Sequence, residues 1–207
     1  MNEQDAVIFV VDDDAAMRRS LAYLFDSVGW RVELFDSGRD FLDRYDGHLP
    51  GCLVLDMRMP LMSGLELQHM LKEREIGIPI VFLTGHGDVA MAVQAMKTGA
   101  SDFLEKPCKD QVLLDTVSRA VQRSLAVCRK SEQTHAVLSI LATLTPRERE
   151  VAERVALGKA NKIIARELDI SDKTVQVHRH HAMEKMGVHS AAELALVLFG
   201  TEAVDAS

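Results

Sequence analysis

The sequence predicts an α/β domain built on a five-stranded, doubly wound parallel sheet, followed by a second, smaller domain made of four helices. Three observations lead there. Five short apolar runs alternate with helix-period stretches over roughly the first 120 residues. Those runs are mostly apolar throughout, as strands covered on both faces are. Beyond about residue 138 only helical periodicity continues. A chain of 207 residues is comfortable for two domains of the usual size, roughly 100–150 residues each.

Taken in order, AVIFVV (6–11) runs into the helical stretch AAMRRSLAYLFDSVG, and RVELF (31–35) precedes SGRDFLDRY. GCLVLD (51–56) precedes SGLELQHMLKERE, PIVFLT (79–84) precedes VAMAVQAMKTG, and DFLEK (102–106) precedes QVLLDTVSRAVQRSLAV. Strand followed by helix five times over implies a sheet with helices on both sides, which binds ligands at the carboxyl ends of its strands. CRKSEQTHAV, polar and without an apolar period, reads as linker. The resulting boundaries are 1–122 for the α/β domain, 123–140 for a helical linker and 141–207 for the helical domain. In the last, Thr145 suits an N-cap, Pro146 the first helical position and Glu148 the capping-box position. NKIIARELD, a helix starting after Ser171 (SDKTVQVHRHHAMEKMG) and SAAELALVLFG complete it.

Composition narrows the function classes. The formal charge is −7, but residues 138–207 hold nine basic against ten acidic residues, so any nucleic-acid binding must come from a local basic face. Three cysteines, Cys52, Cys108 and Cys128, form no close-spaced ligand pattern and no disulfide framework. The acidic start MNEQDAVIFVVDDD is unlike a secretory signal, and no apolar run reaches membrane-spanning length. The expectation is a cytoplasmic protein.

Asp12 and Asp13 follow the first strand and Asp56 ends the third, so a parallel sheet gathers these carboxylates on one edge. Crowded carboxylates repel unless a cation or shared proton compensates, and Mg2+ is a hard cation needing only one or two of them. Thr84 and Lys106, at the tips of the fourth and fifth strands, add a hydroxyl and an ammonium. A carboxylate that attacks a phosphoryl group, cations that neutralise the charge of transfer and a hydroxyl that binds the transferred oxygens make chemical sense together. Asp56 reads as the nucleophile, held out at a strand tip.

These residues resemble the receiver domain of bacterial two-component response regulators, a flavodoxin-like fold. The resemblance covers residues 6–122 and rests on VVDDD, LDMRMPLMSG, LTGHGD and DFLEKP. It implies that Asp56 accepts a phosphoryl group from a sensor histidine kinase. Asp13 and Asp56 ligate Mg2+ with the Arg58 backbone carbonyl, Asp12 acting through water, while Thr84, Lys106 and Phe103 are switch residues. It further implies a cis bond at Lys106–Pro107 and an influence of His86 on the phosphoryl lifetime. Cys108 stands where many relatives have an aromatic residue and is expected to be a small buried apolar filler, a redox role for its thiol being the alternative.

The helix after Ser171 presents Lys173, Thr174, Gln176, Val177, Arg179 and His180 on its first turns, behind a short helix and a tight turn. That is the form of a helix-turn-helix whose second helix enters a major groove. Lys173, Thr174 and Arg179 suit phosphates, Gln176 and His180 suit base edges, and Val177 suits a thymine methyl. Val175, Ala182, Met183 and Met186 are expected to face the core. Residues 144–198 resemble the four-helix DNA-binding domain of the LuxR and FixJ type, with TVQVH on the recognition helix. The preceding helix then contributes Asn161 and Lys162 as phosphate contacts. Relatives often carry a basic residue where this chain has Gln176 and His180. The resemblance implies a non-enzymatic transcription regulator that dimerises on phosphorylation, binds double-stranded promoter DNA and activates transcription with RNA polymerase. Two other readings compete: a small-substrate phosphatase, which gives the tail no role, and an adaptor whose tail binds protein rather than DNA.

Overall fold

The computed structural model describes residues 5–45, 47, 49–85 and 89–202. The chain divides into two compact units, Met1–Arg129 and Lys130–Ser207. In the first, strands β1 (Val7–Val11), β2 (Arg31–Phe35), β3 (Gly51–Asp56), β4 (Ile80–Thr84) and β5 (Asp102–Glu105) form one parallel sheet in the order β2-β1-β3-β4-β5. Helices α1 (Ala15–Ser27), α2 (Gly38–Arg44), α3 (Gly64–Glu73) and α4 (Val89–Thr98) connect them, and α5 (Asp110–Ala142) follows.

Successive side chains of a strand point to opposite faces, and here the alternation sorts the core into two layers. Val7, Phe9, Val11, Leu53, Leu55, Ile80 and Phe82 pack on one side with Phe41 of α2, Leu67 and Leu71 of α3 and Ala95 of α4. Ile8, Val10, Cys52, Val54, Val81 and Leu83 pack on the other with Leu21 and Phe25 of α1 and Leu113, Val117 and Val121 of α5. The three central strands are therefore buried along their whole length. β2 and β5 depart from the expectation of apolar strands covered throughout. Only Phe35 of β2 is buried, and β5 alternates half-buried with exposed residues, because each lies at a sheet edge. α5 runs straight through the tract read as linker.

The second unit packs α6 (Pro146–Ala156), α7 (Asn161–Leu168), α8 (Asp172–Lys185) and α9 (Ala191–Glu202) around Val151, Val155, Ile164, Leu168, Val175, Ala182 and Leu194. α6 starts as its sequence suggests, with Thr145 as N-cap, Pro146 at the start and a complete capping box with Glu148. α7 ends at Asp169, whose left-handed backbone (φ 52°) makes the tight turn into α8, and Ser171 caps α8 by accepting from the Thr174 N–H. Among the described residues no helix is long and apolar enough to cross a membrane.

Candidate functional site

Register decides which side chains meet. Val11 pairs with Leu55, Asp56 with Leu83 and Thr84 with Glu105, so Asp12, Asp56, Thr84 and Lys106 all end up at the carboxyl edge of the sheet. The Lys106 ammonium donates to Asp12 Oδ2 at 2.8 Å and to Asp56 Oδ1 at 2.5 Å. The remaining oxygens are also engaged: Asp12 Oδ1 accepts from the Asp14 N–H at 2.9 Å, and Asp56 Oδ2 from the Arg58 N–H at 2.9 Å. Asp12 is 2% exposed and Asp56 9%, which corrects the expectation of a carboxylate held out at the strand tip. Burial lifts the Asp56 carboxyl above the ordinary carboxylate value, and Lys106 only partly offsets it. Burial alone would push the Lys106 ammonium down, but hydrogen bonds and charge attraction from both aspartates hold it above the ordinary lysine value.

Asp13 is exposed, and Asp14 accepts from the Ala16 N–H as the N-cap of α1. Among the described residues no three His, Cys, Asp or Glu side chains converge as a metal cluster. The donor set still fits magnesium. Asp12, Asp56 and Lys106 together leave one net negative charge, Asp13 adds another at the rim, and every ligating atom available is a hard oxygen.

Thr84 is buried; its hydroxyl donates to the Gly85 carbonyl at 3.1 Å, and its own carbonyl accepts from the Lys106 N–H at 2.7 Å. The two residues are thus coupled through backbone, while Phe103 on the edge strand is 41% exposed. The Lys106–Pro107 bond is cis. Cys108 is half-buried against the α1–α5 layer, a partial filler, and its thiol is pushed up chiefly by burial. His86 lies outside the described residues. Gly64 is required for close approach, since a Cβ there would sit 2.4 Å from the Asp56 carbonyl oxygen. Leu61 holds a left-handed backbone (φ 66°) with its side chain fully exposed. Arg18 was not singled out from sequence: it reaches back from α1 to donate to the Asp12 carbonyl at 2.6 Å, a contact with no local sequence signal.

On α8, Lys173, Gln176, Val177 and His180 are all exposed. Their i, i+3, i+4, i+7 spacing puts them on one helix face, while Val175 and Ala182 are buried on another. Met186 is buried and Met183 partly so, as expected. Lys162 is exposed at the start of α7. Two expected contacts turn out to be partners of each other: Arg179 Nη1 donates to Asn161 Oδ1 at 3.2 Å, joining α8 to the first residue of α7. Thr174 is partly covered, its hydroxyl 2.7 Å from that of Ser171.

Residues 8–118 match the response regulator receiver domain family, and residues 142–198 match the bacterial regulatory proteins of the luxR family. The transcriptional regulatory protein FixJ of Bradyrhizobium diazoefficiens is 46% identical over 187 residues, covering 90% of this chain and 91% of that protein. Nodulation protein W of the same organism is 48% identical over 190 residues, covering 91% and 83%. The solved structure of response regulator StyR superposes with a TM-score of 0.89 at 44% identity, over 95% of this chain and 99% of that one. With a receiver fold, a buried aspartate pair bridged by lysine and a helix-turn-helix whose second helix has an exposed face, the chain belongs to the FixJ-like two-component response regulators, transcription regulators without enzymatic activity of their own.

Proposed function

We infer that Asp56 is the phosphoacceptor and that its modification by a sensor histidine kinase promotes dimerisation and promoter binding in the cytoplasm. The observation that carries this reading is the Lys106 ammonium bridging Asp12 and Asp56 at the sheet edge. In transfer from phosphohistidine, an Asp56 carboxylate oxygen forms the new O–P bond as the P–N bond breaks, and the leaving imidazole takes up a proton. Lys106, already beside Asp56, neutralises charge on the transferred oxygens. Mg2+ would be held by Asp13, Asp56 and the Arg58 carbonyl, with Asp12 acting through water, and would supply the further positive charge that a phosphoryl group of about −2 requires.

The new oxygens offer the Thr84 hydroxyl a stronger acceptor than the Gly85 carbonyl. A shift of Thr84 moves the backbone it shares with Lys106 and the adjoining β5, which carries Phe103. Val93 and Met96 of α4 and Phe103 of β5 are exposed apolar side chains on adjoining elements, suited to a homodimer face. Two copies then present two reading helices to a two-fold site, raising affinity through effective concentration. On DNA, Lys162, Lys173, Thr174 and the Asn161–Arg179 pair face phosphates, and Gln176, Val177 and His180 face base edges. The bound dimer activates transcription by working with RNA polymerase. Sedimentation velocity with Mg2+, with and without beryllofluoride as aspartyl-phosphate mimic, tests the switch. A monomer-to-dimer shift in the wild type and none in Asp56→Asn is expected, and no shift in either protein removes dimerisation from the mechanism.

A further inference from the structure

Among the described residues, three helices carry a glutamate that closes the first turn, and one of them is used differently. Glu66 of α3 and Glu193 of α9 are exposed, and their hydrogen bonds go to Ser63 and to His189 and Ser190, within their own caps. Glu148 of α6 makes the same local bond, its Oε2 accepting from the Thr145 N–H at 2.8 Å, yet it is only 5% exposed. The same oxygen accepts from Lys185 Nζ at 2.6 Å, across 37 residues of sequence. Lys185 also donates to the Thr143 carbonyl at 3.2 Å, and His181, one turn earlier on α8, places Nδ1 3.8 Å from Glu148 Oε1. A capping box by itself needs neither burial nor a cation from another helix. Burying a carboxylate is unfavourable unless it is paired, so the arrangement does something an exposed box does not.

Lys185 is the last residue of α8, and the exposed reading residues lie on its first turns. The helix is about 20 Å long. A tilt of about 5° around its anchored end moves the first turn by more than about 1.5 Å, half the length of a hydrogen bond. We propose that Glu148 and Lys185 are positioning residues for base reading: they fix the tilt and rotation of α8, touching no DNA themselves. The proposal rests on the DNA-reading role given to α8.

The test uses the full chain activated with beryllofluoride and Mg2+. Its probes are duplexes that the wild type enriches from a random-sequence library, against a shuffled duplex of the same length. Glu148→Gln removes a negative charge, so electrostatics alone tightens binding to any DNA; Lys185→Gln removes a positive charge and does the reverse. Loss of positioning lowers the enriched-to-shuffled affinity ratio in both, by about fivefold or more, the cost of one misread base pair. The double variant falls no further than the singles. Glu167→Gln makes the same charge change in the cluster of Glu167 with Arg154 and Lys159, ion pairs that include no residue of α8, and leaves the ratio unchanged. Far-UV circular dichroism confirms folding at the assay temperature. Lys185→Gln keeps the capping box and carries the test if Glu148→Gln does not fold. A ratio within about twofold of wild type in the folded variants overturns the proposal. If the wild type enriches no sequence at all, the reading of α8 as a base-reading helix fails instead, and this proposal with it.

Discussion

The two units handle buried charge in opposite ways. In the α/β unit, Asp56 sits among strand tips where burial raises its pKa, and Lys106 leaves the aspartate pair with a net negative charge. In the helical unit, Glu148 is also largely hidden from solvent, but burial weighs less on it and its carboxyl is held down at about 2 by Lys185 first and by the Thr145 N–H. Asp56 shares its lysine with a second carboxylate, Asp12, and so is the less fully compensated of the two, which suits the phosphoacceptor role proposed for it. Glu148 is fully compensated, as a group that joins helices has to be.

The largest effect that sharpens this contrast is Asp56→Asn. Phosphoryl incorporation from a small donor should be abolished, while the thermal midpoint of the α/β unit should not fall, because the charge removed is one that burial disfavours. A midpoint that drops would break the comparison by showing Asp56 to be as well compensated as Glu148. The sole tryptophan, Trp30, packs on Phe25 and reports the α/β unit alone. Gly64→Ala comes next. Its Cβ would meet the Asp56 carbonyl oxygen at 2.4 Å and Phe82 at 2.9 Å. The Trp30 unfolding transition should therefore lose about 3 kcal/mol, with the helical unit unchanged by ellipticity.

Acidification separates the units further. The Glu148 pKa is lowered from 4.5 to about 2 on folding, so its contribution is fully present above about pH 4.5 and is lost as pH falls toward 2. Between about pH 6 and pH 3 the helical unit should lose about 1 kcal/mol, a figure discounted for solvent screening at the exposed Lys185. The sign for Asp56 is opposite, since a raised pKa means that its penalty at neutral pH is relieved by protonation. Urea transitions followed by Trp30 fluorescence and by far-UV ellipticity should diverge on the acid side, and Glu148→Gln should close the gap. The smallest effect concerns the loop after Asp56. Leu61→Gly removes a left-handed leucine with an exposed side chain, and should stabilise the α/β unit by about 0.5–1 kcal/mol in the Trp30 transition.

The same contrast explains what the sequence could show. Apolar runs and a period-two sheet place Asp12, Asp56, Thr84 and Lys106 at strand tips with no knowledge of packing, so the candidate site was legible as a set. The burial of Asp56 was not, because it depends on Lys106, 50 residues away, and on the loop at Arg58 folding onto its two oxygens. Phe103 was singled out only through the resemblance, and its exposure follows from the strand order, which puts β5 at an edge. In the helical unit the caps Thr145 and Ser171 were legible from adjacent residues. The pairs Glu148–Lys185 and Asn161–Arg179 were not, since they are 37 and 18 residues apart and no periodicity links them. Arg18 was missed for the same reason, its partner being a backbone carbonyl.

The position of Lys106 in the chain also orders the events of biosynthesis. Asp12 is made 94 residues before it and Asp56 50 residues before it. A nascent or truncated chain ending short of Lys106 has two carboxylates at neighbouring strand tips and no ammonium between them, so their repulsion opposes closure of that edge. The α/β unit thus gains the cation that joins its two buried aspartates only when residue 106 follows the last strand, so a chain cut before that point lacks the bridge and one cut after the unit keeps it.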